Sequence, residues 1–200
     1  MNVIYLYGQV KCLPIRNKPQ EITDNLDITQ GKLVIGLQIE AIEKEAKFIV
    51  SMYNTILGGS PNSKLFQNVR ERESLAYTAR SSYVRQKNNI FIKCGIEIEN
   101  YKKAVDIIKE QLEEMKTGKF SDEDLENSRR YILTGIKMLE DEQDTFITYA
   151  IGQELSGGEV NVEKYIEKIS EVTKEQIVEI AKKIEIDTIY FLTSKEEQCK

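Results

Sequence analysis

The sequence contains no histidine. This removes every Ser-His or Cys-His nucleophile, every histidine general base and every imidazole metal ligand that the chain could supply by itself. Cysteine is sparse: Cys12, Cys94 and Cys199 lie far apart and form no C-x-x-C pair. Such a set suits neither a disulfide framework nor a zinc knuckle, and reads as reduced thiols outside the chemistry. Long apolar runs are missing too. Leu33–Leu37 and Phe48–Tyr53 fall far short of the ~20 residues that span a bilayer, so no membrane segment is expected. The first residues, Met1-Asn2-Val3-Ile4-Tyr5, lack the basic region of a signal peptide, and a cytoplasmic location is expected. There is no excess of positive charge: 28 Lys and Arg stand against 33 Asp and Glu, for a net charge of −5. That balance disfavours a nucleic-acid partner, which needs a basic face.

What is present is an ordinary globular composition, 40% hydrophobic and 30% charged over 200 residues. Val3–Tyr7 is β-prone, and the polar stretch through Pro14, Pro19 and Glu21–Asn25 reads as a loop. Residues 31–38 read as a strand whose apolar run suggests cover on both faces. From Glu40 to Leu57 apolar residues recur at helical spacing, and Gly58-Gly59 is a natural stop. Ser60 and Pro61 then suit the N-cap and first position of a second helix, ending near Glu73. Leu75–Arg85 and Ile90–Glu97 read as a hairpin closed by Asn88-Asn89. A helix over Tyr101–Lys116, capped by Asn100 and closed by Gly118, follows. Ser121-x-x-Asp124 opens a long helix towards Glu140 in the manner of a capping box. A helix over about Thr145–Leu155 stops at Gly157-Gly158. Two short helices come next, the second with the box Thr173-x-x-Gln176, and Thr188–Thr193 is a last strand. The order, with adjacent strands joined by a short turn, predicts antiparallel pairing and an α+β fold. Residues 27–200 read as one domain, preceded by an abbreviated strand and loop over 1–26.

Several groups invite a chemical reading. Gly58 to Lys64 superficially resembles a phosphate loop, but Ser63 precedes the lysine, Leu65 follows it and Pro61 removes a backbone donor. A helix stop followed by a helix start explains the same residues. The clusters Glu113-Glu114, Asp122-Glu123-Asp124 and Glu140-Asp141-Glu142 fit solvated helix ends better than metal sites. Basic residues around Tyr83, from Arg80 to Arg85, are a weak nucleic-acid signal in an acidic chain. Arg70 and Tyr77 differ from these. They flank a helix-to-strand corner that can aim both side chains into one cleft. A guanidinium fork can grip peptide carbonyls, and a phenol can donate to an oxygen that gains charge during amide hydrolysis. The plainer alternative pairs Arg70 with Glu71 or Glu73 and leaves Tyr77 as packing.

The run from Leu57-Gly58-Gly59-Ser60-Pro61 through Lys64-Leu65-Phe66 to Val69-Arg70-Glu71-Arg72-Glu73-Ser74-Leu75-Ala76-Tyr77 resembles the signature of the C-terminal half of pitrilysin-type (insulinase-type) zinc metallopeptidases. Asp27–Gly36 is similar to the strand that opens the domain core in bacterial members, and Asp187–Leu192 to their closing strand. The resemblance implies two homologous α+β halves, each an antiparallel sheet backed by helices on one face, that close like a clamshell on a peptide. The N-terminal half carries the inverted H-x-x-E-H zinc motif, so zinc is expected in that partner half and no metal in this one. Arg70 would hold the peptide backbone and Tyr77 would help stabilise the tetrahedral intermediate. Peptide substrate and a homologous N-terminal half or partner subunit are thus the implied partners. Ser74 departs from the glycine common at its position. The residues before 27 are too few for the family's first strand and helix, so the resemblance leads us to expect a fragment of a larger protein. The implied role is the non-catalytic, substrate-binding half of a zinc endopeptidase. A domain of a catalytically dead member that scaffolds an active homologue is the alternative.

Overall fold

A computed structural model describes residues 18–40, 43, 45–138, 143–155 and 160–195. The expected strand at Val3–Tyr7, the thiols Cys12 and Cys199, the Gly157-Gly158 stop and the Glu140–Glu142 cluster lie outside the described residues. Five strands form one sheet: β1 (Gln20–Leu26), β2 (Gly31–Ile39), β3 (Ala76–Val84), β4 (Asn89–Ile96) and β5 (Ile184–Ser194), in the order β1-β5-β2-β4-β3. The β2–β5, β2–β4 and β3–β4 pairs are antiparallel, while β1 runs parallel to β5. The fold is α+β, with a mixed sheet rather than a wholly antiparallel one.

The core follows from alternation. Leu33, Ile35 and Leu37 of β2 and Ile90, Ile92 and Ile96 of β4 are fully buried under the helical layer. Between them Val34, Gly36 and Gln38 stay half-buried and Lys32 and Lys93 exposed, so β2 is covered on one face and half-open on the other. The expectation of cover on both faces is corrected by that alternation. The stretch Glu21–Asn25, read as a loop, is strand β1. Its residues are almost all exposed, and it is held by its ladder to β5 and by Tyr190, whose hydroxyl donates to Asp24 Oδ2 at 3.0 Å.

The helical layer comprises α1 (Ala46–Asn54), α2 (Tyr101–Lys116), α3 (Asp122–Met138), α4 (Gln143–Leu155), α5 (Val162–Ser170) and α6 (Lys174–Ala181). Both capping boxes form. Ser121 N donates to Asp124 Oδ2 at 2.8 Å and Asp124 N to Ser121 Oγ at 3.0 Å. Thr173 N donates to Gln176 Oε1 at 2.9 Å, and Gln176 N returns to Thr173 Oγ1 at 3.4 Å. Asn100 makes no side-chain cap; it ends a short 3-10 turn, Ile98–Asn100, that leads into α2. Gly118 closes α2 with φ +72°, as expected of a C-terminal glycine.

Two wide π-helical segments shape the region that matters for function. The first, Thr55–Gly59, continues α1; the second is Phe66–Arg72. Ser60 and Pro61 do not open the second helix. They form a turn in which Ser63 N donates to Ser60 O at 3.2 Å, with proline in its favoured second position. Helical bonding starts after it, with Gln67 N donating to Ser63 O at 2.9 Å. The first segment crosses β3 so closely that a Cβ on Gly58 would stand 2.6 Å from the backbone nitrogen of Ser81.

Candidate functional site

Arg70 lies on the second π segment, whose inner side is anchored by Leu65 and Val69, both fully buried. Its side chain is 45% exposed. The guanidinium sits 4.7 Å from the centroid of the Phe66 ring, and Nε is 3.5 Å from Glu71 Oε1. The ring holds the guanidinium plane on one side; the neighbouring carboxylate is a solvated pair of small energetic weight. Part of the plainer reading therefore holds, since Arg70 does pair with Glu71. Glu73 instead pairs with Lys103 at 2.8 Å, and that lysine draws its carboxyl below the usual range.

The corner after Arg70 is built by an unusual helix end. Ser74 N donates to Arg70 O at 3.1 Å and Leu75 N to Val69 O at 3.0 Å. To close these bonds Ser74 adopts a left-handed backbone, φ 53°. Only glycine enters that region without a Cβ penalty, so Ser74 holds a strained backbone here. Leu75 and Ala76 then bury themselves and start β3.

Tyr77 follows at once, inside a bulge. Ala76 pairs with Ile96 and Thr78 with Gly95, which leaves Tyr77 as the extra residue. It does not pack: 61% of it is exposed. Its hydroxyl donates to Glu97 Oε1 at 2.8 Å, and this bond, followed by the charge of Glu97, pushes its ionisation above that of an ordinary phenol. Arg70 and Tyr77 thus emerge at the two ends of one corner, both open to solvent, and no hydrogen bond joins them. Sequence reasoning passed over Glu97. The β4 alternation assigns residue 97 only to the face of Lys93 and Gly95 and does not bring it to Tyr77.

That face carries ordered rows of side chains. Paired residues share a side, so Tyr190, Val34, Lys93 and Arg80 run across β5, β2, β4 and β3 in one register. Lys32 stands in the next row, beside Leu192 and Gly95. The result is a half-open surface with apolar positions at one side and cations towards Tyr77. Behind the corner, a polar cleft of about 150 Å³ is lined by Asn68, Arg72, Glu73, Ile107, Glu110, Gln111 and Glu114. A larger hollow of about 290 Å³ lies between the start of α1 and the α5–α6 turn, and includes neither Arg70 nor Tyr77.

The competing readings lose their residues to internal bonds. Lys64, the lysine of the apparent phosphate loop, pairs with Glu114 at 2.8 Å and donates to Lys119 O at 3.0 Å. Arg85 turns inward to the Tyr165 hydroxyl and lies over that ring, 5.1 Å from its centroid. Asp124 is a helix cap. Cys94 is buried, and desolvation pushes its thiol up to about 12. Among the described residues no group of three or more His, Cys, Asp or Glu side chains is placed to hold a metal ion.

Comparison with known proteins decides the family. Residues 8–132, more than half of the chain, match the family described as the peptidase M16 inactive domain. The chain belongs to this family. It is 35% identical over 180 residues to the "probable inactive metalloprotease YmfF" of Bacillus subtilis, covering 90% of this chain and 42% of that protein. Among solved structures it is similar to a conserved protein of Enterococcus faecalis V583, with TM-score 0.84 and 30% identity over 92% of this chain and 44% of the other. It shares its fold with the peptidase M16 inactive domain from Pseudomonas fluorescens, at TM-score 0.71 and 18% identity over 89% of this chain and 44% of that one. The chain therefore spans about two fifths of the length of the curated relative.

Proposed function

We infer that this M16 inactive domain binds the substrate for a zinc-dependent endopeptidase whose catalytic residues sit in another half. The observation that carries the reading is the corner from Gly58 to Tyr77, which exposes a guanidinium and a phenol from one rigid turn. Residues here do not fit zinc: the chain has no histidine, and among the described residues no ligand cluster exists. The metal is assigned to the partner half, and what this chain's residues do concerns the peptide alone. Arg70, braced by Phe66, offers permanent donors to peptide carbonyls or a carboxylate. Tyr77 offers one hydroxyl donor to the carbonyl oxygen as it gains charge. Lys93, Arg80 and Lys32 put three cations on the adjoining sheet face, between the carboxylates of Glu97 and Asp24, and these offer donors to an extended peptide. Three scattered cysteines suit a reducing compartment, and we place the protein in the cytosol.

The experiment is peptidase activity against a quenched fluorescent casein, for this chain alone and for the longer two-half protein. The chain alone should cleave nothing. In the longer protein Arg70→Ala should raise KM more than it lowers kcat; an unaltered KM removes Arg70 from the site.

A second reading has its own support in the 35% identity to a protein described as a probable inactive metalloprotease. In it the same corner serves a catalytically dead protein that binds or scaffolds an active homologue. The adjoining half discriminates: it contains H-x-x-E-H or it does not.

A further inference from the structure

Tyr77 has one proton to give, and in this structure Glu97 holds it. We propose that Glu97 governs the reach of Tyr77, holding the phenol at the sheet edge when no peptide is bound and competing with the peptide for its proton. The proposal rests on the reading of Tyr77 given above and names a residue that the family signature does not include.

The geometry supports it on three counts. The hydroxyl–carboxylate distance is 2.8 Å, the length of a good hydrogen bond to a charged acceptor. Both residues are exposed, and each sits where the regular strand pairing is interrupted: Tyr77 is the extra residue of the β3 bulge, and Glu97 is the first residue beyond β4. Other charges nearby are committed or stand apart: Glu73 is paired with Lys103, Arg70 with Glu71. On the same face Lys32 stands one row from Glu97, and Arg80 and Lys93 two rows away; no bond between any of the three and Tyr77 or Glu97 forms. The rise in the Tyr77 ionisation follows from the same contact, since losing the proton would set a phenolate against a carboxylate. A peptide carbonyl that receives the phenol's proton must therefore displace Glu97, and the contact acts as a restraint that binding releases.

The test starts with the 200-residue chain. Absorbance at the phenolate band is followed against pH for the native sequence and for Glu97→Gln, each with tyrosine at 77 and with Tyr77→Phe. Glutamine keeps an acceptor oxygen and removes the charge. One tyrosine should ionise at lower pH in Glu97→Gln, and the difference should vanish in the Tyr77→Phe background. Superimposed curves with tyrosine present would overturn the proposal. In the longer protein with its catalytic half, Glu97→Gln should raise kcat about two- to tenfold, the range for one modest hydrogen bond, with KM within about a factor of two. The gain should be absent with Tyr77→Phe. A fall in kcat would show that Glu97 aims the phenol productively, contradicting the competition. If Tyr77→Phe itself leaves turnover unchanged, the assignment of Tyr77 fails, while Glu97's hold on the phenol is judged by the titration alone.

Discussion

Gly58→Ala is the perturbation that most directly probes how the corner is built. The added methyl would stand 2.6 Å from the Ser81 nitrogen, 2.7 Å from Ser81 Oγ and 2.8 Å from Leu65 Cδ1. Only the last is a movable side-chain end, and Leu65 is fully buried, so it has little room to move. Ser81 is fixed by its pairing with Ile92 and by its hydroxyl, which donates to Asn54 O at 3.2 Å. The π segment must therefore lift off the strand. Overpacking of this kind costs about 1–3 kcal/mol. At about 2–4 °C per kcal/mol for a chain of this size, the melting temperature should fall by about 2–12 °C. Thermal unfolding followed by circular dichroism reads this directly. Gly135→Ala is the internal control: nothing lies within 4 Å of its added methyl on exposed α3. There the substitution should stabilise by about 0.5–1 kcal/mol through helix propensity. A Gly58→Ala protein that melts at or above the native temperature would refute the close crossing of β3 by the first π segment.

Two further outcomes follow from the same region and from the sheet. Ser74→Gly should raise stability by about 1 kcal/mol, because the left-handed backbone at φ 53° no longer carries a Cβ; a lower midpoint in urea would contradict the helix-end geometry. In a Cys12→Ser, Cys199→Ser background, Cys94 should resist a thiol reagent at pH 8 and react fully once denatured, since burial pushes its thiol up to about 12; rapid native labelling would show the sheet to be open there.

The parts of the fold that were legible are those in which one residue's neighbours in sequence decide its environment. The alternation of Ile90, Ile92, Cys94 and Ile96 announced β4, and both capping boxes formed from the residues that spelled them. Strand β1 was hidden because its reason lies elsewhere. Its polar residues carry no apolar period, and its order comes from a parallel ladder with β5, far along the chain. Ser60-Pro61 misled for a different reason: the pair is equally suited to a turn and to a helix start, and the turn hydrogen bond to Ser63 decides between them. At the site, the spacing of Arg70 and Tyr77 was readable as a motif, whereas Ser74's backbone explained itself only in three dimensions. The Glu97 contact needed the β3 bulge, which no local pattern announces.

The most direct measurement is the turnover number of the two-half protein carrying Tyr77→Phe. If the phenol of this domain supports the reacting carbonyl, kcat should fall about ten- to a thousandfold, the scale of one lost oxyanion donor, with KM little changed. An unchanged kcat would contradict the account.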